Sequence, residues 1–143
     1  MEESHYRKLE KMYASAPINH FYHPEMVVSN GISEITITNR PDFFHAAHAV
    51  HGSVYFKMLD DAAFFAVNSL VPDVFVLTVS FNIYLIRPVT EGQLISRGRV
   101  VNESKRLYIA ESELYDSEGR IIARGSGTFM KSKIPLSAEV GYR

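Results

Sequence analysis

The sequence contains no cysteine, which excludes disulfides, thiolate nucleophiles, cysteine-based zinc sites and iron–sulfur clusters together. Histidine is absent beyond position 51: all six (His5, His20, His23, His45, His48 and His51) lie in the first part of the chain. No apolar run approaches the roughly 20 residues of a membrane span, and residues 1–10 lack the apolar centre of an export signal. Neither sign of charge is in excess, with 15 basic against 16 acidic groups, so no overall field draws the chain to nucleic acid or to a membrane. The expectation is a soluble, cytoplasmic protein. Charge is nevertheless unevenly placed, 5 basic and 9 acidic groups up to Ile86 against 10 and 7 from Arg87 onward. A mildly positive second part suits a small anionic ligand, or is merely solvated surface.

What is present is enough for a core. At 143 residues, 46% hydrophobic and 22% charged, the chain is expected to form one domain over 1–143, and its composition is not that of a disordered, collagenous or coiled-coil protein. Leu9, Met12 and Tyr13 are spaced for a short amphipathic helix over 3–16, closed by Pro17. A short strand over 26–29, the turn Asn30-Gly31, and an alternating strand over 32–38 follow. Residues 52–70, GSVYFKMLDDAAFFAVNSL, are apolar on nearly every side, which predicts a buried central helix ended by Pro72. The remainder reads as strands over 75–87, 93–102, 107–115 and 120–130, joined by short turns. Such spacing implies an antiparallel meander. The fold class is therefore α+β, with about five antiparallel strands wrapped around one long helix.

Two carboxylates inside that apolar helix stand out, because an ionised group in a dry interior costs several kcal/mol unless paired. Asp61 has Lys57 four residues earlier and can form a helix-surface ion pair, whereas Asp60 has Phe56 and Phe64 at those positions. Lys57 also lies three residues before Asp60, so a structural pair is the competing reading. The helix opens with His51-Gly52-Ser53.

This His51-Gly52-Ser53 start, with Asp60 nine positions after His51, resembles the His-Gly-Gly…Asp signature of hotdog-fold acyl-CoA thioesterases of the phenylacetate-pathway (PaaI-like) type. The run Thr78 to Pro88 followed by Gly92, the turn Asp116 to Gly119, and Thr128-Phe129 are similar to that family as well. The resemblance implies hydrolysis of an acyl-CoA thioester without a cofactor, by a homodimer or a dimer of dimers. It implies that the backbone N–H of Gly52 holds the carbonyl while Asp60, as general base or nucleophile, drives hydrolysis, and that Thr78 orients the attacking water. The residue chemistry agrees, since a helix N-terminus carries partial positive charge and glycine admits close approach. Gly52 and Asp60, eight residues apart on one helix, lie ~12 Å apart. They reach one carbonyl only if they come from two chains.

The chain departs from the family pattern at two places. Ser53 replaces the second glycine, and His45 stands where the family often has an asparagine that helps hold the carbonyl; a neutral imidazole can also donate a hydrogen bond. His51 either contacts substrate or caps the helix. Lys105-Arg106 occupies an expected hairpin turn, where it is either solvated or meets the phosphates of coenzyme A. His45, His48 and His51 recur every three residues, but they precede the helix and lack a carboxylate companion, so no metal is expected. His5, His20 and His23 read as surface or loop residues. A non-catalytic acyl-CoA-binding module and a hotdog hydratase or dehydratase are the alternative functions.

Overall fold

Alternation in the sequence becomes the two faces of a sheet. In the strand Leu107–Tyr115, Tyr108, Ala110, Ser112 and Leu114 are buried while the residues between them are not, as a period of two requires. A computed structural model describes residues 2–143. It has six strands: β1 (Glu25–Ser29), β2 (Ile32–Thr38), β3 (Val74–Leu85), β4 (Gln93–Glu103), β5 (Leu107–Tyr115) and β6 (Ile121–Pro135). Three α-helices accompany them among the described residues, α1 (Glu2–Ser15), α2 (Asn19–Tyr22) and α3 (Gly52–Asn68), with short 3-10 turns at Pro41–Phe43 and Ala138–Val140. All strand pairings are antiparallel, in the spatial order β1-β2-β4-β5-β6-β3.

Helix α3 lies across the sheet and touches every strand. Met58, Leu59, Ala62, Ala63, Ala66 and Val67 have no exposed surface, which is why the sequence tolerates apolar residues around most of the helix. Close approach is built in at Gly98 of β4, where a Cβ would fall 2.3 Å from the Ala62 carbonyl oxygen. Two buried serines satisfy helix carbonyls from the sheet: Ser33 Oγ donates to Ala62 O at 2.6 Å and Ser112 Oγ to Leu59 O at 2.8 Å. Burial therefore leaves these polar groups paired.

The fold class agrees with the sequence reading, and two details differ. Six strands form the sheet rather than about five, because both 25–29 and 32–38 pair through the Asn30-Gly31 turn, with Gly31 at φ 73°. The strands are not a simple meander. β4 pairs with β2, and β3 closes the far edge against β6, so residues 86–92 must cross the end of the sheet. That crossing is tied down on both sides: Ile86 and Arg87 N–H donate to Ile122 O, and Tyr55 OH donates to Arg87 O at 2.7 Å. Pro88, which has no N–H, sits where the chain has left the ladder.

The two sheet edges are treated differently. At β1, the backbone of Val28 is engaged by α1, with Glu10 Oε2 accepting from Val28 N–H at 2.9 Å and Arg7 donating to Val28 O at 2.9 Å. At β3, the Asn68 side chain bonds Val74 O and Val76 N–H, but residues 77–85 have no such cover among the described residues. Leu77, Val79, Tyr84 and Leu85 are all exposed there. An uncovered apolar edge is a template for another strand.

His5 is buried rather than on the surface. Its Nε2 lies 2.8 Å from Asn68 O and its Nδ1 2.7 Å from Tyr142 OH, so it joins α1, the end of α3 and the C-terminal segment. Among the described residues no helix is long and apolar enough to cross a membrane.

Candidate active site

Strand β3 runs antiparallel along α3 and meets it at four successive places. Phe75 packs on Phe64 with ring centroids 5.2 Å apart, Thr78 reaches Asp60, Phe81 packs edge-on to Phe56 at 5.7 Å, and Leu85 lies against Gly52. The helix and the edge strand thus share both ends of the sequence-predicted site.

At one end, Thr78 Oγ1 donates to Asp60 Oδ1 at 2.8 Å, leaving Asp60 Oδ2 without a protein partner among the described residues. Both residues face a cleft of about 880 Å³ whose walls include Tyr13, Lys57, Phe64, Phe75 and Leu77. Burial among these side chains pushes the Asp60 carboxyl up to about 6, against the opposing pull of the Thr78 hydrogen bond; neighbouring Asp61 raises it further and Lys57 lowers it. Loss of water from the charged form is the dominant cause. An acid near 6 in a cleft is poised to exchange a proton at neutral pH.

The other end is a helix start. His51 adopts extended dihedrals (φ −66°, ψ 144°) and caps α3, its Nδ1 accepting from Ser53 N–H at 3.0 Å. Ser53 Oγ lies 2.8 Å from the same nitrogen. Capping, one of the two readings of His51, is thus present in the structure, and it leaves Nε2 as the proton-bearing atom of the neutral ring. His45 Nδ1 accepts from Ala47 N–H at 3.1 Å, and its ring stands 6.4 Å from that of His51. Both imidazoles thus use Nδ1 as an acceptor and leave Nε2 without a partner among the described residues. The Gly52 N–H, first in the helix, finds no acceptor among the described residues. A hollow of about 240 Å³ adjoins His51 and Ser53.

The structure thus gathers the sequence candidates into two groups, Asp60 with Thr78, and Gly52 with His45, His51 and Ser53. Lys105 and Arg106 join neither; they are exposed in the β4–β5 turn. Asp61 departs from its expected role as an ordinary surface partner. Its ion pair with Lys57 at 2.7 Å is largely buried, and Tyr13 OH donates to the same oxygen at 2.7 Å. Sequence reasoning missed Tyr13 at the site, since nothing local links it to a residue 48 positions away. It also missed the C-terminal segment, whose Ile134, Val140 and Arg143 complete the cleft. Among the described residues no group of three histidines or carboxylates is arranged to hold a metal.

Comparison with known proteins supplies the family. The sequence model of the thioesterase superfamily matches residues 47–123, more than half of the chain. A "Putative esterase" of Saccharolobus solfataricus is 31% identical over 81 residues, 57% of this chain and 54% of that protein. Another of Sulfurisphaera tokodaii is 24% identical over 101 residues, 70% and 74% of the two chains. The match thus spans about half the length of the first relative. Among solved structures, the PaaI protein of the E. coli phenylacetic acid degradation operon superposes with a TM-score of 0.86 at 16% identity, covering 95% of this chain and 99% of that one. A thioesterase family protein of Silicibacter pomeroyi superposes at 0.81 with 24% identity, covering 88% and 96%. Helix, sheet and matched sequence together make this chain a hotdog-fold member of the thioesterase superfamily.

Proposed function

We propose that the protein hydrolyses acyl-CoA thioesters at a site completed by a second copy of the chain. The observation that carries the reading is Asp60, a carboxylate held by Thr78 in a mostly apolar cleft whose burial pushes it up to about 6. In this reading Thr78 fixes Oδ1 and turns Oδ2 toward a water molecule. The carboxylate takes the water's proton as the oxygen attacks the thioester carbonyl carbon. The tetrahedral oxyanion is stabilised by the Gly52 N–H at the positive end of α3, joined by the Nε2 donors of His51 and His45. Collapse breaks the C–S bond and expels the thiolate of coenzyme A, which is protonated on release; the products are a carboxylic acid and a free thiol.

Two copies are needed because Gly52 and Asp60 stand eight residues apart on one helix, ~12 Å. The uncovered edge of β3 supports the arrangement. Thr78 and Leu85 mark the Asp60 and Gly52 ends of this strand, so antiparallel pairing of β3 with a second β3 about a two-fold axis sets one copy's Asp60 end against the other's Gly52 end. Such pairing also covers Leu77, Val79, Tyr84 and Leu85. Lys105 and Arg106 are assigned to the phosphates of the coenzyme, as cations on an exposed turn.

Release of free thiol from a panel of aryl-acyl and fatty acyl-CoAs tests the reading. Wild-type protein is expected to turn over at least one of them, and Asp60→Asn to lose about 10³-fold in kcat. Unchanged turnover in Asp60→Asn removes the carboxylate from the mechanism. Tight binding with no turnover across the panel makes the protein a binding module, and a 3-hydroxyacyl product from an enoyl-CoA makes it a hydratase.

A further inference from the structure

Three groups with no part in that mechanism converge beside Asp60. Lys57 Nζ and Tyr13 OH both donate to Asp61 Oδ2, each at 2.7 Å. The Lys57 ammonium also lies over the rings of Tyr13, at 5.4 Å, and of Tyr22, at 5.0 Å. The side chains of Lys57 and Asp61 keep only 12% and 19% of their exposure, and both line the cleft that holds Asp60. A buried ion pair is a weak device for stability, because apolar residues of the same volume often do as well. Its position, one residue from the proposed base, calls for another reason.

We propose that the Lys57–Asp61 pair, with Tyr13 as its third member, is a positioning unit that offsets the charge of Asp61 beside Asp60 and so leaves Asp60 neither repelled by an adjacent anion nor held in an ion pair. The inference rests on the hydrolytic role given to Asp60. Adjacent anions in an apolar cleft oppose each other's ionisation, and an adjacent cation favours it. Asp61 alone would add to the effect of burial and raise the pH at which Asp60 ionises. Lys57 alone would draw the Asp60 carboxylate into an ion pair, away from water. Locked together by the Tyr13 hydroxyl, the two largely cancel. The other groups facing Asp60 do not replace them. Thr78 on β3 is neutral, the Tyr13 phenol on α1 is kept protonated well above its ordinary range by burial and by Asp61, and the C-terminal segment brings Glu139 and Arg143, of opposite sign, to the same cleft.

The expected signature is a pair of opposite shifts that a purely structural clamp does not produce. In kcat/KM profiles, Lys57→Met moves the acid limb to higher pH by about one unit, because Asp61 is left uncompensated. Asp61→Asn moves it to lower pH, because repulsion is removed and the ammonium is released. The double variant returns to about the wild-type position, and Lys57→Arg stays there throughout. Asp61→Asn keeps the shape of the side chain, so it carries the test even where Lys57→Met fails to fold. The same shifts are read without turnover by ¹³C NMR titration of the Asp60 carboxyl in the free protein. Opposite shifts in that titration, in a protein with no thioesterase activity, uphold the charge compensation at Asp60 and refute the hydrolytic role it was to serve. An Asp60 that is required for turnover but titrates at one pH in all four variants overturns the inference and leaves the hydrolytic reading in place.

Discussion

The two ends of helix α3 are built from opposite chemistry. Its start is rich in donors, with the Gly52 N–H, the exposed His51 imidazole and Ser53 hydroxyl, and the His45 imidazole of the preceding loop, while Val54 and Tyr55 of the same turn enter the core. Two turns later the same helix presents an acceptor, Asp60, half-buried among aromatic and aliphatic side chains and pushed up to about 6 by that burial. One end suits an oxygen that gains negative charge; the other suits a group that takes a proton. Neither is sufficient for acyl transfer to water, and their ~12 Å separation keeps them from serving one carbonyl within one chain. The sheet carries the same asymmetry. α1 binds the backbone of Val28 on the β1 edge, whereas the β3 edge is uncovered from residue 77 to 85 among the described residues.

Substitutions that strike one end only sharpen this contrast. Asp60→Asn has the largest expected effect, the loss of about 10³-fold in turnover, and it should be accompanied by a gain in stability. The folded-state value of about 6 lies above the ordinary 3.8, so the folded protein keeps this proton to higher pH than the unfolded chain. Stability therefore falls as pH rises between those values, and the full cost, about 1–3 kcal/mol, is present above 6. Thermal melts should show Asp60→Asn more stable than wild type at pH 7.5, with the difference nearly gone by about pH 3, below the ordinary value; equal melts at both would mean that Asp60 is not strained by burial.

At the donor end, Gly52→Pro removes the proposed oxyanion donor, at the cost of a small shift of the Leu85 side chain, which a Cβ at this position would approach to 3.1 Å. Proline is favoured at the first helical position, and His51 already has the extended backbone required before it. A loss of about 10²-fold in kcat with an unchanged circular dichroism spectrum is expected; full activity would exclude the Gly52 N–H. Next in size is Thr78→Val, which removes the hydroxyl that favours ionised Asp60. Turnover should fall about 10-fold with the acid limb moved to higher pH, and an unmoved limb would reduce Thr78 to a packing residue. In stability, His51→Ala has the smallest effect of the series. Loss of the cap should lower stability by about 1 kcal/mol in denaturant titration, and no loss would show that the Nδ1 contact to Ser53 contributes nothing.

Much of this was legible in the sequence because it depends on local pattern. The apolar run 52–70 announced a buried helix, the alternation in 107–115 a half-buried strand, and the placement of Asp60 between Phe56 and Phe64 a carboxylate out of place. Long-range pairing carried no such signal. Nothing in residues 75–87 says that this strand pairs with β6 rather than with β4, because the turn-like composition of 88–92 suits a hairpin as well as a crossing. His5 looked like a terminal surface residue, since its partners are a carbonyl 63 positions away and a hydroxyl 137 positions away. Asp61 looked like an exposed i,i+4 partner because the helix sequence does not reveal that Tyr13 arrives from α1 to bury it.

The central claim, that each site takes Gly52 from one subunit and Asp60 from the other, is tested most directly by complementation. Gly52→Pro and Asp60→Asn chains carrying different tags are co-expressed, and thiol release by the purified mixture is compared with that of each variant alone. In a mixed dimer one site carries both defects and the other carries neither, so random pairing should restore roughly a quarter of wild-type activity. A mixture that forms mixed dimers yet remains as inactive as its parents would contradict the account.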